Sequence, residues 1–82
     1  MIRLNISEAV RLRIYELCDE RHISVNKLSD MSGITQSTVQ NITSGRNSAT
    51  VITLKKLCDG LDITIQDFFD SDLFLDLEQE IK

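Results

Sequence analysis

Apolar residues recur along this chain at spacings of three and four, in short blocks cut by polar residues and glycine. Val10, Ile14 and Leu17, with Ala9 and Cys18 beside them, mark one face of a helix that opens at Ser7 and Glu8 and ends near Arg21 or His22. Ser24 then reads as an N-cap, with Ile23 before it placed to touch Leu28 as a hydrophobic staple. This predicts a second helix from Val25 to about Ser32, stopped by Gly33. The same grammar repeats: Ile34 is the staple, Thr35 the cap, Val39 and Ile42 the inward residues, and Gly45 the close of a third helix. After the polar loop 46–49, Thr50 caps a fourth helix with Leu54, Leu57, Cys58 and Leu61 on one side. Ile63 and Thr64 start a fifth, with Asp67 and Phe68 in its first turn. Asp72 is placed to cap a final segment in which Leu73, Phe74, Leu77 and Ile81 fall at helical spacing. The expected fold class is all-α: five short helices and a short C-terminal helical segment.

Eighty-two residues leave room for one small domain. Residues 1–70 are expected to form it, with 71–82 as an acidic amphipathic extension. Apolar residues at 41% and charged residues at 27% match an ordinary globule rather than a disordered chain. No apolar run approaches the roughly 18 residues of a membrane span. Ser7, Glu8, Arg11 and Arg13 interrupt the first apolar positions, so no signal peptide is expected and the expected compartment is the cytoplasm. The net charge of −4 hides an asymmetry. Residues 1–58 carry eight basic and five acidic side chains, a net +3, whereas 59–82 carry eight acids and only Lys82, a net −7. Between His22 and Cys58 lie four basic residues and one acid, and a polyanion could meet that stretch without meeting the acidic end.

Candidate chemistry is sparse. Cys18 and Cys58 sit on apolar faces and read as packed thiols. His22, the one histidine, has no nucleophile or second base placed with it. No G-x-x-x-x-G-K, CxxC or HExxH occurs, so no enzyme, cofactor, metal site or small-molecule substrate is expected. Phe68, Phe69, Phe74, Leu73 and Leu77 read as core or dimer contact. The informative stretch is 24–45, a short helix, a turn at Gly33 and a second short helix, which is a helix-turn-helix. The outward positions of its second helix, Gln36, Ser37, Gln40, Asn41 and Ser44, are all uncharged hydrogen-bonding residues. Gln and Asn can pair with adenine's donor and acceptor, and Ser with either partner.

In the segments KLSDMSGITQSTVQNITSGR and TLKKLCDGLDITIQDFF the chain resembles the Xre/Cro-like, or lambda-repressor-like, helix-turn-helix family, over about residues 5–70. Leu28, Gly33, Ile34, the polar helix Thr35–Ser44 and the Gly45-Arg46 closure meet the family's pattern. The resemblance implies a compact five-helix bundle whose third helix enters the major groove of a double-stranded DNA operator. It implies Gln36, Ser37 and Asn41 as base readers, with Gln40 next. Ser24, Thr35, Arg46 and Thr50 would hold phosphates, with Lys27, Lys55 and Lys56 sharing the remainder. The chain departs from the family at Val25, where many members have a glutamine that braces the first recognition-helix glutamine. Asn26 is the available substitute. It departs again at Cys18 and Thr43, where many carry a buried Arg–Glu pair, and at Ser44. The expected function is a transcriptional regulator, usually a repressor, acting as a homodimer through its C-terminal region. The alternative is a protein-interaction module of the same fold, an antitoxin or adaptor, with little or no DNA binding.

Overall fold

The computed structural model describes residues 3–81; residues 1, 2 and 82, at the outer ends of the two expected segments, lie outside the described residues. Five α-helices follow one another: α1 Ile6–Glu20, α2 Val25–Ser32, α3 Gln36–Thr43, α4 Val51–Leu61 and α5 Ile65–Phe69. A single 3-10 turn, Asp72–Phe74, comes after them. The opening of α1 lies slightly earlier than expected. Asn5 caps it by accepting from the Glu8 amide at 2.8 Å, while the Glu8 carboxylate accepts from the Asn5 amide at 3.1 Å. Helix α3 stops at Thr43, two residues short of Gly45.

Three of the connections are one and the same corner. At His22-Ile23-Ser24, Gly33-Ile34-Thr35 and Asp62-Ile63-Thr64 the first residue is left-handed, with φ of 55°, 66° and 56°. The isoleucine amide reaches back to the helix just ended: Ile23 to the Cys18 carbonyl at 3.1 Å, Ile34 to Ser29 at 3.1 Å and Ile63 to Cys58 at 3.0 Å. This satisfies carbonyls that a helix end would leave bare. The third residue then caps the next helix through its hydroxyl. All three isoleucines pack against the core. Of these three corner residues only Gly33 lacks a Cβ.

The core lies between α1, α3, α4 and α5, with Leu28 of α2, Val39, Leu57 and Phe68 fully enclosed. Burial of a side chain such as Phe68 contributes about 2–3 kcal/mol. Arg13 is buried with them. It falls on the apolar stripe of α1, and its guanidinium donates to the Phe68 carbonyl at 2.7 Å and the Asp67 carbonyl at 2.8 Å. Both carbonyls lie in the last turn of α5, so Arg13 caps that helix from α1, sharing the Asp67 carbonyl with the Asp70 amide. Its remaining nitrogen meets Glu16, which also accepts from the Ser71 hydroxyl at 3.2 Å. Cys18 of α1 and Thr43 of α3 are both buried and neutral.

Helix α2 lies against α4 at Gly60. A Cβ there would stand 3.0 Å from the Ser32 Cα and 3.1 Å from the Met31 carbonyl carbon, and would overlap the Ser32 hydroxyl. Glycine is required by this approach of two backbones.

The C-terminal part departs from expectation. Ser71, not Asp72, caps the 3-10 turn, and no helix carries Leu73, Phe74, Leu77 and Ile81 on one face. Phe74 instead turns back onto Phe69, ring centroids 4.8 Å apart, and Leu77 pairs with Leu4 in an isolated parallel bridge. The Glu78 amide donates to the Leu4 carbonyl at 2.9 Å. The apolar positions satisfy a wrap around the bundle as readily as a helix, and the Phe68–Phe69–Phe74 cluster decides for the wrap.

Gly60→Ala is expected to lower stability by about 1–2 kcal/mol net, since overpacking against backbone outweighs the gain in helix propensity. Asp62→Gly is expected to do the opposite, by about 1 kcal/mol. It relieves a left-handed Cβ and removes a carboxylate from a helix C-terminus. Thermal and urea unfolding of the two variants checks both signs, at roughly 4–8 °C per kcal/mol.

Candidate nucleic-acid interface

Helix α3 presents Gln36, Ser37, Thr38 and Gln40 to solvent, and turns Val39, Ile42 and Thr43 inward. It bears no charge. Gln36 and Gln40 lie one turn apart, with Ser37 beside them, so three of the four expected base readers share one exposed face. Asn41 is half-buried, because the chain beyond α3 folds over it: the Asn47 amide donates to its carbonyl at 3.0 Å. No hydrogen bond among the described residues uses the Gln36 side chain. Gln40 donates from Nε2 to the Asn26 Oδ1 at 3.3 Å. The substitute brace on α2 therefore holds Gln40, not Gln36, contrary to expectation. Residues 26 and 40 are close enough across the turn, and Val25 offers nothing to Gln36.

The expected phosphate residues are placed at helix starts. Ser24, Thr35 and Thr50 are exposed N-caps of α2, α3 and α4. Their hydroxyls accept from the amides of Lys27 at 3.0 Å, Thr38 at 3.3 Å and Thr53 at 3.0 Å. Each cap leaves the first amides of its helix free, and the helix dipole adds partial positive charge there. The Thr35 hydroxyl also meets that of Thr38 at 2.8 Å, and Thr50 donates to Thr53 at 2.9 Å. The Ser24 proton has no such partner among the described residues, so it is available to an anion. Arg46 and Lys27 are exposed beside these caps in sequence. Lys55 is different: its ammonium is bonded to Asp59, which holds its pKa above the usual lysine value. Lys27 and Lys56 are left as the unpaired lysines among the described residues.

Cys18 and Cys58 are buried, and desolvation pushes both thiols up, away from reactive thiolate. Among the described residues no group of three His, Cys, Asp or Glu is arranged to hold a metal, and no helix is long and apolar enough to cross a membrane. A groove of about 360 Å³ lies between the N-terminal stretch, α1 and the C-terminal segment. Glu16, Asp72 and Asp76 line it, and Arg3 there is paired with Asp76, so it repels a polyanion.

A helix-turn-helix family model matches residues 14–68, which takes in α1 from Ile14 through Phe68 of α5. The crystal structure of the prophage Lp1 protein 11 is similar over 90% of this chain and 99% of that one, with 29% identity and a TM-score of 0.78. No curated protein matches the chain.

Thr35→Ala removes the α3 cap and is expected to cost about 1 kcal/mol of stability without any DNA present. Unfolding of the free variant in urea measures it, and an unchanged midpoint would show that the 3.3 Å bond to Thr38 contributes nothing.

Proposed function

The chain belongs to the Xre/lambda-repressor-like helix-turn-helix family of DNA-binding regulators, and from that premise we propose that it occupies a double-stranded operator as a transcriptional repressor. The observation that carries this reading is the exposed face of α3, made of amides and hydroxyls without a carboxylate. A merely solvated helix has no use for such a face, and base edges do. Gln36 and Ser37 are the first readers. Gln40 reads with the amide oxygen that its bond to Asn26 leaves free, and Asn41 serves from the edge of the face. Ser24, Thr35, Thr50 and Arg46 hold the backbone and set register, which is the role of phosphate contacts. The structural relative is a prophage protein, a setting that suits a regulator of this kind.

Two substitutions separate reading from holding. Gln36→Ala is expected to lose ~1–3 kcal/mol on a selected operator and to relax preference at one base pair. Arg46→Ala is expected to weaken all duplexes alike and to lower the log–log salt slope by ~1. A protein-interaction module would show no steep salt dependence on duplex DNA for either variant or for the wild type.

A symmetric dimer belongs to the same proposal, since one recognition helix reads only a few base pairs and two copies can take half-sites a helical turn apart. With Leu73, Phe74 and Leu77 turned partly onto their own bundle, the C-terminal segment offers Leu75 and Ile81 for the contact, 79% and 87% exposed. Two ends of net −7 would meet there, so salt should strengthen the dimer while it weakens DNA binding. Sedimentation across a salt series, with Leu75→Glu as the disrupting variant, measures this. Dimers untouched by that variant would place the interface elsewhere.

A further inference from the structure

Positions 7, 11 and 15 of α1 lie on one face, each a turn from the next, and they meet the last residue of α3 and the chain leaving it. The Ser7 and Ser48 hydroxyls are 2.6 Å apart. The Tyr15 hydroxyl donates to the Thr43 carbonyl at 3.4 Å. Between these two bonded rungs Arg11 faces Gly45: a Cβ on that glycine would stand 4.0 Å from the Arg11 Nε. Arg11 is half-buried, yet among the described residues its guanidinium has neither a carboxylate nor a carbonyl partner.

That contrast extends to the other described arginines. Arg3 is paired with Asp76, Arg13 with Glu16 and Arg21 with Glu20. The two without an acid are Arg11 and Arg46; Arg11 lies against Gly45, and Arg46 is the next residue of the chain, exposed. No Arg11 nitrogen is among the buried unpartnered side-chain atoms, so the fork reaches solvent, and five donors in one plane match the oxygens of a phosphate.

Resting on the operator reading above, we propose that Arg11 of α1 is a DNA-backbone contact. Together with Arg46 it grips a phosphodiester at the C-terminal end of α3, opposite the capped amides at its N-terminal end. The two ends lie about 12 Å apart along the eight-residue helix. The N-terminal grip uses neutral amides and hydroxyls; the C-terminal grip supplies the charge that α3 itself lacks. Sequence position alone assigns Arg11 to a solvated face of the first helix.

The test uses the full chain and duplex DNA over a range of salt. Arg11→Met keeps the length of the stem and removes the charge. The affinity ratio of wild type to R11M is expected to grow about eightfold for each tenfold fall in salt, equally on operator and on unrelated duplex, which is the release of about 0.9 counterion. Arg11→Lys is expected to keep most of the slope. Tyr15→Phe, which removes a neighbouring rung and no charge, is expected to keep all of it. Thermal unfolding in parallel confirms that each variant is folded. An R11M slope equal to that of wild type overturns the proposal. So does a slope lost equally in R11M and Y15F, which would make this face of α1 a brace for the loop. A wild-type chain without salt-dependent duplex binding overturns the operator reading itself, and this inference with it.

Discussion

Three isoleucines carry the path of the chain. Ile23, Ile34 and Ile63 each follow a left-handed residue, each return an amide to the helix behind, and each precede the hydroxyl that caps the helix ahead. Their side chains pack on the core, so one buried residue serves as the hydrophobic contact for the end of one helix and the start of the next. Only a few residues separate α1 from α2, α2 from α3, and α4 from α5. In connections this short, the angle between helices is set by the corner itself. The presentation of α3 follows from Gly33-Ile34-Thr35 and from the seating of α2. That seating depends on Gly60, where α2 comes down on the backbone of α4.

The corners were legible in the sequence because all their parts are local. An isoleucine and a hydroxyl side by side announce a staple and a cap, and Gly33 announces a helix end. Two of the three left-handed residues, His22 and Asp62, carry no such announcement, since only their surroundings hold them there. Gly60 reads as a weak point inside α4 until α2 is placed against it. Arg13 reads as surface charge, although it sits at the spacing of Val10, Ile14 and Leu17. Its partners are carbonyls 54 and 55 residues away. No local rule reveals an acceptor at that distance. Residues 73–81 misled for a related reason. A periodic stripe states which residues seek cover, and the cover chosen by Phe74 was its own bundle.

The candidate interface was legible in residue type and less so in geometry. The uncharged face of α3 follows directly from its sequence and its inward residues. That Asn26 would hold Gln40, or that the loop would fold over Asn41, depends on side-chain reach across a turn. Charge shows the same division. The net −4 says little about a polyanion partner, and the split into +3 and −7 says more. Pairing is more informative still. Among the described residues, Lys55 and three arginines already have acids, whereas Arg11, Lys27, Arg46 and Lys56 do not.

In the proposed function, reading and holding draw on different parts of the molecule. Hydrogen bonds from a neutral helix add little long-range attraction, and what they add depends on donors and acceptors meeting base edges within a few tenths of an ångström. Unpaired cations attract from farther away and tolerate misplacement, but carry no sequence. A helix that reads without charge must be held firmly, because no Coulomb term compensates for a poor angle. The caps at Thr35 and Ser24, the brace from Asn26 and the bonded rungs at Ser7 and Tyr15 supply that firmness at both ends of α3. By this reasoning a change at Gly60 or Ile34, far from any base, reaches the interface through the tilt of α3, and a change at Arg46 leaves that tilt alone.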